Sequence, residues 1–164
     1  MSRGSAAPVG ASLALCAWLG AAVFFSAVMA PAAFRTLPAP SLAGALVGAT
    51  LPVIFYAGIV VGLVALWLGA SGAAGPARVA RNVCSTGIAV CCALGQFVAV
   101  ERIDRLRARL TTPIESLAPT DPARLAFDRL HAVSVGLLGV AMVLTAVSIV
   151  LLWRSGLASA VSPE

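Results

Sequence analysis

HAVSVGLLGVAMVLTAVSIVLLW, residues 131–153, is the stretch on which the fold turns. After His131 it carries no ionisable side chain as far as Trp153. A helix rises 1.5 Å per residue, so ~20 apolar residues cross the ~30 Å of hydrocarbon in a bilayer. Only a helix satisfies its own backbone there without a closed barrel of alternating strands. Residues 131–153 therefore predict a membrane span.

Three more runs of the same kind lie upstream, at residues 9–30, 46–68 and 79–100. None holds a charge beyond its outermost turn. The composition agrees. Of 164 residues, 60% are hydrophobic and 10% charged, with a mean hydropathy of +1.01. Soluble domains carry about 25% charged residues, and one this small could not cover so much apolar surface. The expectation is a single all-α domain over residues 1–164: a polytopic four-helix transmembrane bundle. The first run is long for a signal peptide and is expected to stay in place as a span.

The connections differ. Residues 31–45, with Pro38 and Pro40, predict a short extended loop. Residues 69–76 are rich in Gly, Ala and Ser and predict a tight turn. Residues 101–130 are the one sizeable polar segment. Ile103, Leu106 and Leu110 recur at helical spacing, and Glu101 and Arg105 form a favourable i,i+4 pair, so helix three should continue past the bilayer. Asp121-Pro122 has the form of an N-cap followed by proline at the first helical position, so helix four should start before it enters lipid.

Four spans put both termini on one side, here called Y. The ends of helices one and three and the start of helix four then share the other side, X. Arg35, Glu101, Asp128, His131 and Ser134 gather there as the candidate polar site. Asp128 lies one turn before His131 on the same helical face, which suggests a carboxylate–imidazole pair. Arg124, four residues before Asp128, is a competing partner. All eleven basic residues are arginine. Seven fall on side X and four on side Y. The positive-inside rule then predicts X in the cytoplasm and both termini outside; the expected location is multi-pass in a bacterial inner membrane. The partner so implied is the lipid bilayer, with a second copy or another membrane protein as further candidates. No arginine cluster is interleaved with aromatics on a soluble face, so nucleic acid is not expected.

Small residues should set the packing between helices, because lipid offers no hydrophobic drive there. Gly58 and Gly62 form a GxxxG on helix two. Gly87, Cys91 and Gly95 form a stripe on helix three. Gly136 and Gly139 lie on helix four. The sequence leaves open whether these faces meet inside one chain or between copies.

The remaining motifs exclude functions. No ionisable residue lies near a midplane, where ion-coupled transporters and proton pumps place theirs. There is no phosphate-binding loop with its lysine. One histidine cannot supply a bis-histidine haem. No cofactor or zinc-type cysteine spacing is present. Cys16, Cys84 and Cys91 are the only thiols arranged so as to suggest a soft metal such as Cu(I). Asp128 and His131 have no nucleophile beside them, so an enzyme is not expected.

Trp18-Leu19-Gly20, Phe24-Phe25, Pro31 and Phe34-Arg35-Thr36-Leu37-Pro38 resemble the first helix and loop of the transmembrane protein 205 family, whose bacterial relatives are catalogued as a domain of unknown function. Gly44, Pro52, Phe55 and Tyr56 are similar to that family's second helix. Phe127-Asp128-Arg129-Leu130-His131-Ala132-Val133-Ser134 resembles the opening of its fourth. The end of helix three departs from the pattern, with Val100-Glu101-Arg102-Ile103 and no proline. The resemblance implies a four-helix membrane protein with no established enzymatic activity; the vertebrate member is associated with resistance to platinum drugs. It also implies that Arg35, Asp128, His131 and Ser134 act as one site. The functions so suggested are a small transport or resistance factor, an accessory or scaffold subunit, or a copper- or cofactor-binding membrane protein.

Overall fold

The computed structural model describes residues 3–69 and 75–161. The expected tight turn at 69–76 falls largely outside them. Six α-helices make four rods. In rod one, α1 (Arg3–Phe24) runs through a π-helical segment (Phe25–Met29) into α2 (Ala30–Thr36). Rod two is α3 (Pro40–Gly69). Rod three joins α4 (Pro76–Leu94), a second π-helical segment (Gly95–Val100) and α5 (Glu101–Ala108). Rod four is α6 (Pro122–Val161). The described residues contain no strand. All four rods are long and apolar enough to cross a bilayer. Pro76–Ala108 and Pro122–Arg154 hold 33 residues each, or ~50 Å of helix. That is ~20 Å more than the hydrocarbon needs, so the polar ends of rods three and four project.

Local chemistry sets the ends. The Ala123 amide donates to Asp121 Oδ1 at 2.8 Å, so Asp121 caps α6 and Pro122 follows at its first position, where a missing N–H costs nothing. The first connection differs from expectation. Helix persists to Thr36, and only residues 37–39 are non-helical. Pro31 does not end the rod because the wide turn just before it, where the Ala30 amide reaches back to the Phe25 carbonyl, relaxes the geometry that a proline ring would otherwise block. The break comes at Leu37, extended at φ −79°, ψ 141°, as the residue before Pro38 must be.

The rods pack as a ring: α3 against α1 and α4, and α6 against α4 and α1. Rods one and three face each other across the diagonal. Between rods two and three the register holds along their whole contact. A Cβ on Gly58 would run into Cys92 Sγ, with Trp18 ring carbons 2.9 Å away. One on Gly62 would stand 2.9 Å from the Ser85 carbonyl oxygen, and one on Gly95 would strike the Phe55 ring. One on Gly87 would lie 2.7 Å from Leu144 on α6. These four glycines are therefore used within the chain. Gly136 and Gly139 are not: nothing lies within 4 Å of a Cβ at either, because both face outward from the ring. The core that the small residues let form contains Leu15, Trp18, Phe25, Phe55, Ile88 and Leu138.

Candidate functional site

The end of the bundle that holds the α2–α3 connection and the 109–121 loop is polar, and Arg107 is its centre. Arg107 sits on the last turn of α5 and turns inward. Its Nη1 donates to the Gly44 carbonyl oxygen on α3 at 3.4 Å. Its Nη2 lies 3.6 Å from Glu115 Oε1. Its guanidinium carbon stands 5.3 Å from the ring centre of Phe127 on α6, a cation–π arrangement. Two glycines make this approach possible. A Cβ at Gly44 would be 3.2 Å from Arg107 Nη2 and 3.0 Å from Glu115 Oε1; one at Gly48 would be 3.1 Å from Arg107 Nη1. Spaced i,i+4, they flatten one face of α3 beneath the guanidinium. Pro52 lies inside α3 and cannot donate to the carbonyl of Gly48, which loses its regular partner on the turn that the guanidinium covers.

The 109–121 loop is fastened over this face. Ile114, in a short 3₁₀ turn (Ile114–Ser116), is buried. Arg124 Nη1 donates to its carbonyl oxygen at 3.3 Å, and Ser116 Oγ to that of Pro113 at 2.6 Å. Beside the loop lies an open cleft of about 340 Å³, whose lining includes Ser41, Ala45, Arg107, Thr111, Thr112 and Glu115. At 3.6 Å the Arg107–Glu115 contact is an ion pair and not a hydrogen bond. Guanidinium donors stay free for a third group, with three hydroxyls near them. The arrangement can bind a polar group.

A family model described as a domain of unknown function, DUF4149, matches residues 13–112. The chain belongs to the DUF4149 family. No curated protein and no solved structure matches it. The DUF4149 match covers rods two and three and rod one from residue 13, and so Gly44, Gly48 and Arg107. It stops before Glu115 and Phe127.

In this DUF4149 protein the five expected site residues lie at one end of the bundle but do not form one hydrogen-bonded group. Asp128 pairs with Arg124 at 3.3 Å, not with His131. Both candidates lie within one turn of Asp128, and the cation takes the carboxylate. His131 is exposed and stacks on Phe127, rings 5.8 Å apart and 11° from parallel. Ser134 is buried, and its Oγ donates to the His131 carbonyl oxygen at 2.8 Å. Glu101 holds Arg105 at 2.6 Å. Arg35 is exposed at the end of α2, with no ion pair among the described residues. His131 reaches the centre only through Phe127, which lies between it and Arg107. The thiols do not assemble either. No three His, Cys, Asp or Glu side chains come together among the described residues, and Cys16 is exposed while Cys84 is buried. Arg107 and Glu115 were not among the expected residues. Their signal was the Gly44–Gly48 pair straddling the start of the second apolar run, where nothing in the lipid-facing pattern asks for two glycines.

Proposed function

We propose that this protein is a small membrane transport or resistance factor without chemistry of its own, which recognises a polar solute in the rim cleft beside Arg107. The observation that carries this is the guanidinium itself. It is half-buried, held on a glycine-flattened helix face, and keeps donors free in an open cleft. The charge-free midplane fits a factor that works at its rim and not one that couples transport to ions through the bundle. The likeness of its motifs to the transmembrane protein 205 family suggests the resistance role. Seven arginines at this rim against four at the other end favour a reading in which the rim faces the cytoplasm.

The test is a deletion strain challenged with a panel of toxic cationic and anionic solutes. Wild-type protein should restore tolerance to at least one of them. Arg107→Ala should abolish that rescue at equal membrane abundance, and Arg107→Lys should restore it in part. Full rescue by Arg107→Ala would refute the reading.

One observation favours a second reading, an accessory subunit docked through α6. Among the described residues nothing lies within 4 Å of a Cβ at Gly136 or Gly139, so a helix from another protein could approach closely there. Gly136→Leu would then release a copurifying partner while the bundle stays folded.

A further inference from the structure

The outer face of rod three, with its C-cap residue Arg109, carries an exposed stripe that changes character along its length. It runs Val83, Val90, Leu94 and Phe97, and then Arg102, Arg105 and Arg109. Successive positions are three, four or seven residues apart except at one step. From Phe97 to Arg102 the spacing is five, and that step crosses the π-helical segment Gly95–Val100. A π turn takes up one extra residue, so the added residue keeps the arginines in line with the apolar positions. Arg105 is tied to Glu101. Arg102 and Arg109 are exposed and have no ion pair among the described residues. Beside Phe97 stands Tyr56 of α3, ring centres 6.0 Å apart and edge to face, which lines the groove between the two rods.

We propose that this stripe seats one anionic phospholipid, with a chain along Val90, Leu94 and Phe97 and its phosphate held by Arg102, Arg105 and Arg109. Charge complementarity selects the headgroup: guanidinium forks match phosphate oxygens. The apolar run directly below selects a lipid over free phosphate. The stripe passes from apolar side chains to arginines between Phe97 and Arg102, the change in character expected of a helix leaving hydrocarbon for the level of the phosphates. This site is separate from the rim cleft, since Arg107 turns inward and the stripe faces out.

The experiment uses the full chain in nanodiscs of equal phosphatidylglycerol and phosphatidylcholine, extracted gently and read by native mass spectrometry. Wild type should retain phosphatidylglycerol in clear preference. Near a membrane each basic residue contributes enough that losing two should lower the retention about tenfold or more. Arg102→Gln with Arg109→Gln should show that loss, and Arg102→Lys with Arg109→Lys should keep most of the binding. Arg35→Gln with Arg129→Gln, which removes two other exposed arginines at the same end, should change nothing. The proposal is overturned if wild type shows no preference, or if the Arg35/Arg129 variant loses as much, which would mean diffuse charge. Displacement by millimolar inorganic phosphate would also overturn it, since the site would then be a free-anion site. Melting curves check the fold; should the glutamine variant unfold, the wild-type preference and the lysine variant still decide.

Discussion

The indole N–H of Trp18 donates to the carbonyl oxygen of Ile54 at 2.9 Å, so rod one is tied to the backbone of rod two inside the bundle. The indole is buried, and its plane closes over Gly58. One side chain thus supplies both a packing surface and a specific bond. Trp18→Phe keeps most of the surface and drops the bond. It should cost about 0.6–1.5 kcal/mol, the range for hydrogen bonds within membrane bundles. Trp18→Ala also opens a cavity and should cost about 3–5 kcal/mol. Reversible unfolding in mixed micelles measures both. Equal losses for the two variants would show that the bond contributes nothing.

The glycines separate by position. Gly58→Ala places a methyl against Cys92 Sγ and the Trp18 ring, and overpacking of this kind costs about 1–3 kcal/mol. Gly136→Ala meets open space and should leave stability unchanged or slightly raised, since alanine is the better helix former. The same unfolding assay compares them. A destabilised Gly136→Ala in a monomeric preparation would contradict the outward placement.

How far the sequence reveals this arrangement depends on the range of each interaction. Features decided within one or two turns are legible. The uncharged run after His131, the Asp121-Pro122 cap and the Glu101–Arg105 pair all depend on near neighbours. Pro31 misleads because a π turn upstream lets the helix absorb it, and no residue pattern there announces that turn. The Asp128–His131 pair misleads because Arg124 sits within the same reach and carries full charge. Arg107 is beyond local reading. Its contacts come from α3, the 109–121 loop and α6, and they meet only once the register between rods two and three is set by Gly58, Gly62 and Gly95.

Membrane orientation can be read directly. In a chain with its four cysteines replaced by serine or alanine, Thr111→Cys places a thiol at an exposed position in the 109–121 loop, and Arg154→Cys places one at the opposite end. Seven arginines against four predict that the loop faces the cytoplasm. A membrane-impermeant maleimide added to intact spheroplasts should label the Arg154→Cys chain and spare the Thr111→Cys chain until the cells are lysed. The reverse pattern would move the rim cleft to the outer face and with it the solute pool that the cleft can sample.

Arg107 should govern the order of the 109–121 loop as well as recognition. Three of its contacts fix the loop region: the Gly44 carbonyl, Glu115 and the Phe127 ring. Arg107→Ala removes all three and leaves the Glu115 carboxylate half-buried without its cation, a loss expected to cost about 1–3 kcal/mol locally. Amide exchange across residues 109–118 should then speed by roughly one to two powers of ten, while exchange in α4 stays as it was. Glu115→Gln keeps the shape and removes one charge, so its effect should be smaller. Arg107→Lys retains a cation that cannot fork between Gly44 and Glu115, and should fall between the two. If exchange in the loop is unchanged by Arg107→Ala, the loop is held by Ile114 and Arg124 alone. Arg107 would then be free to act purely in recognition, and the tolerance assay would respond to Arg107→Ala with no change in loop order.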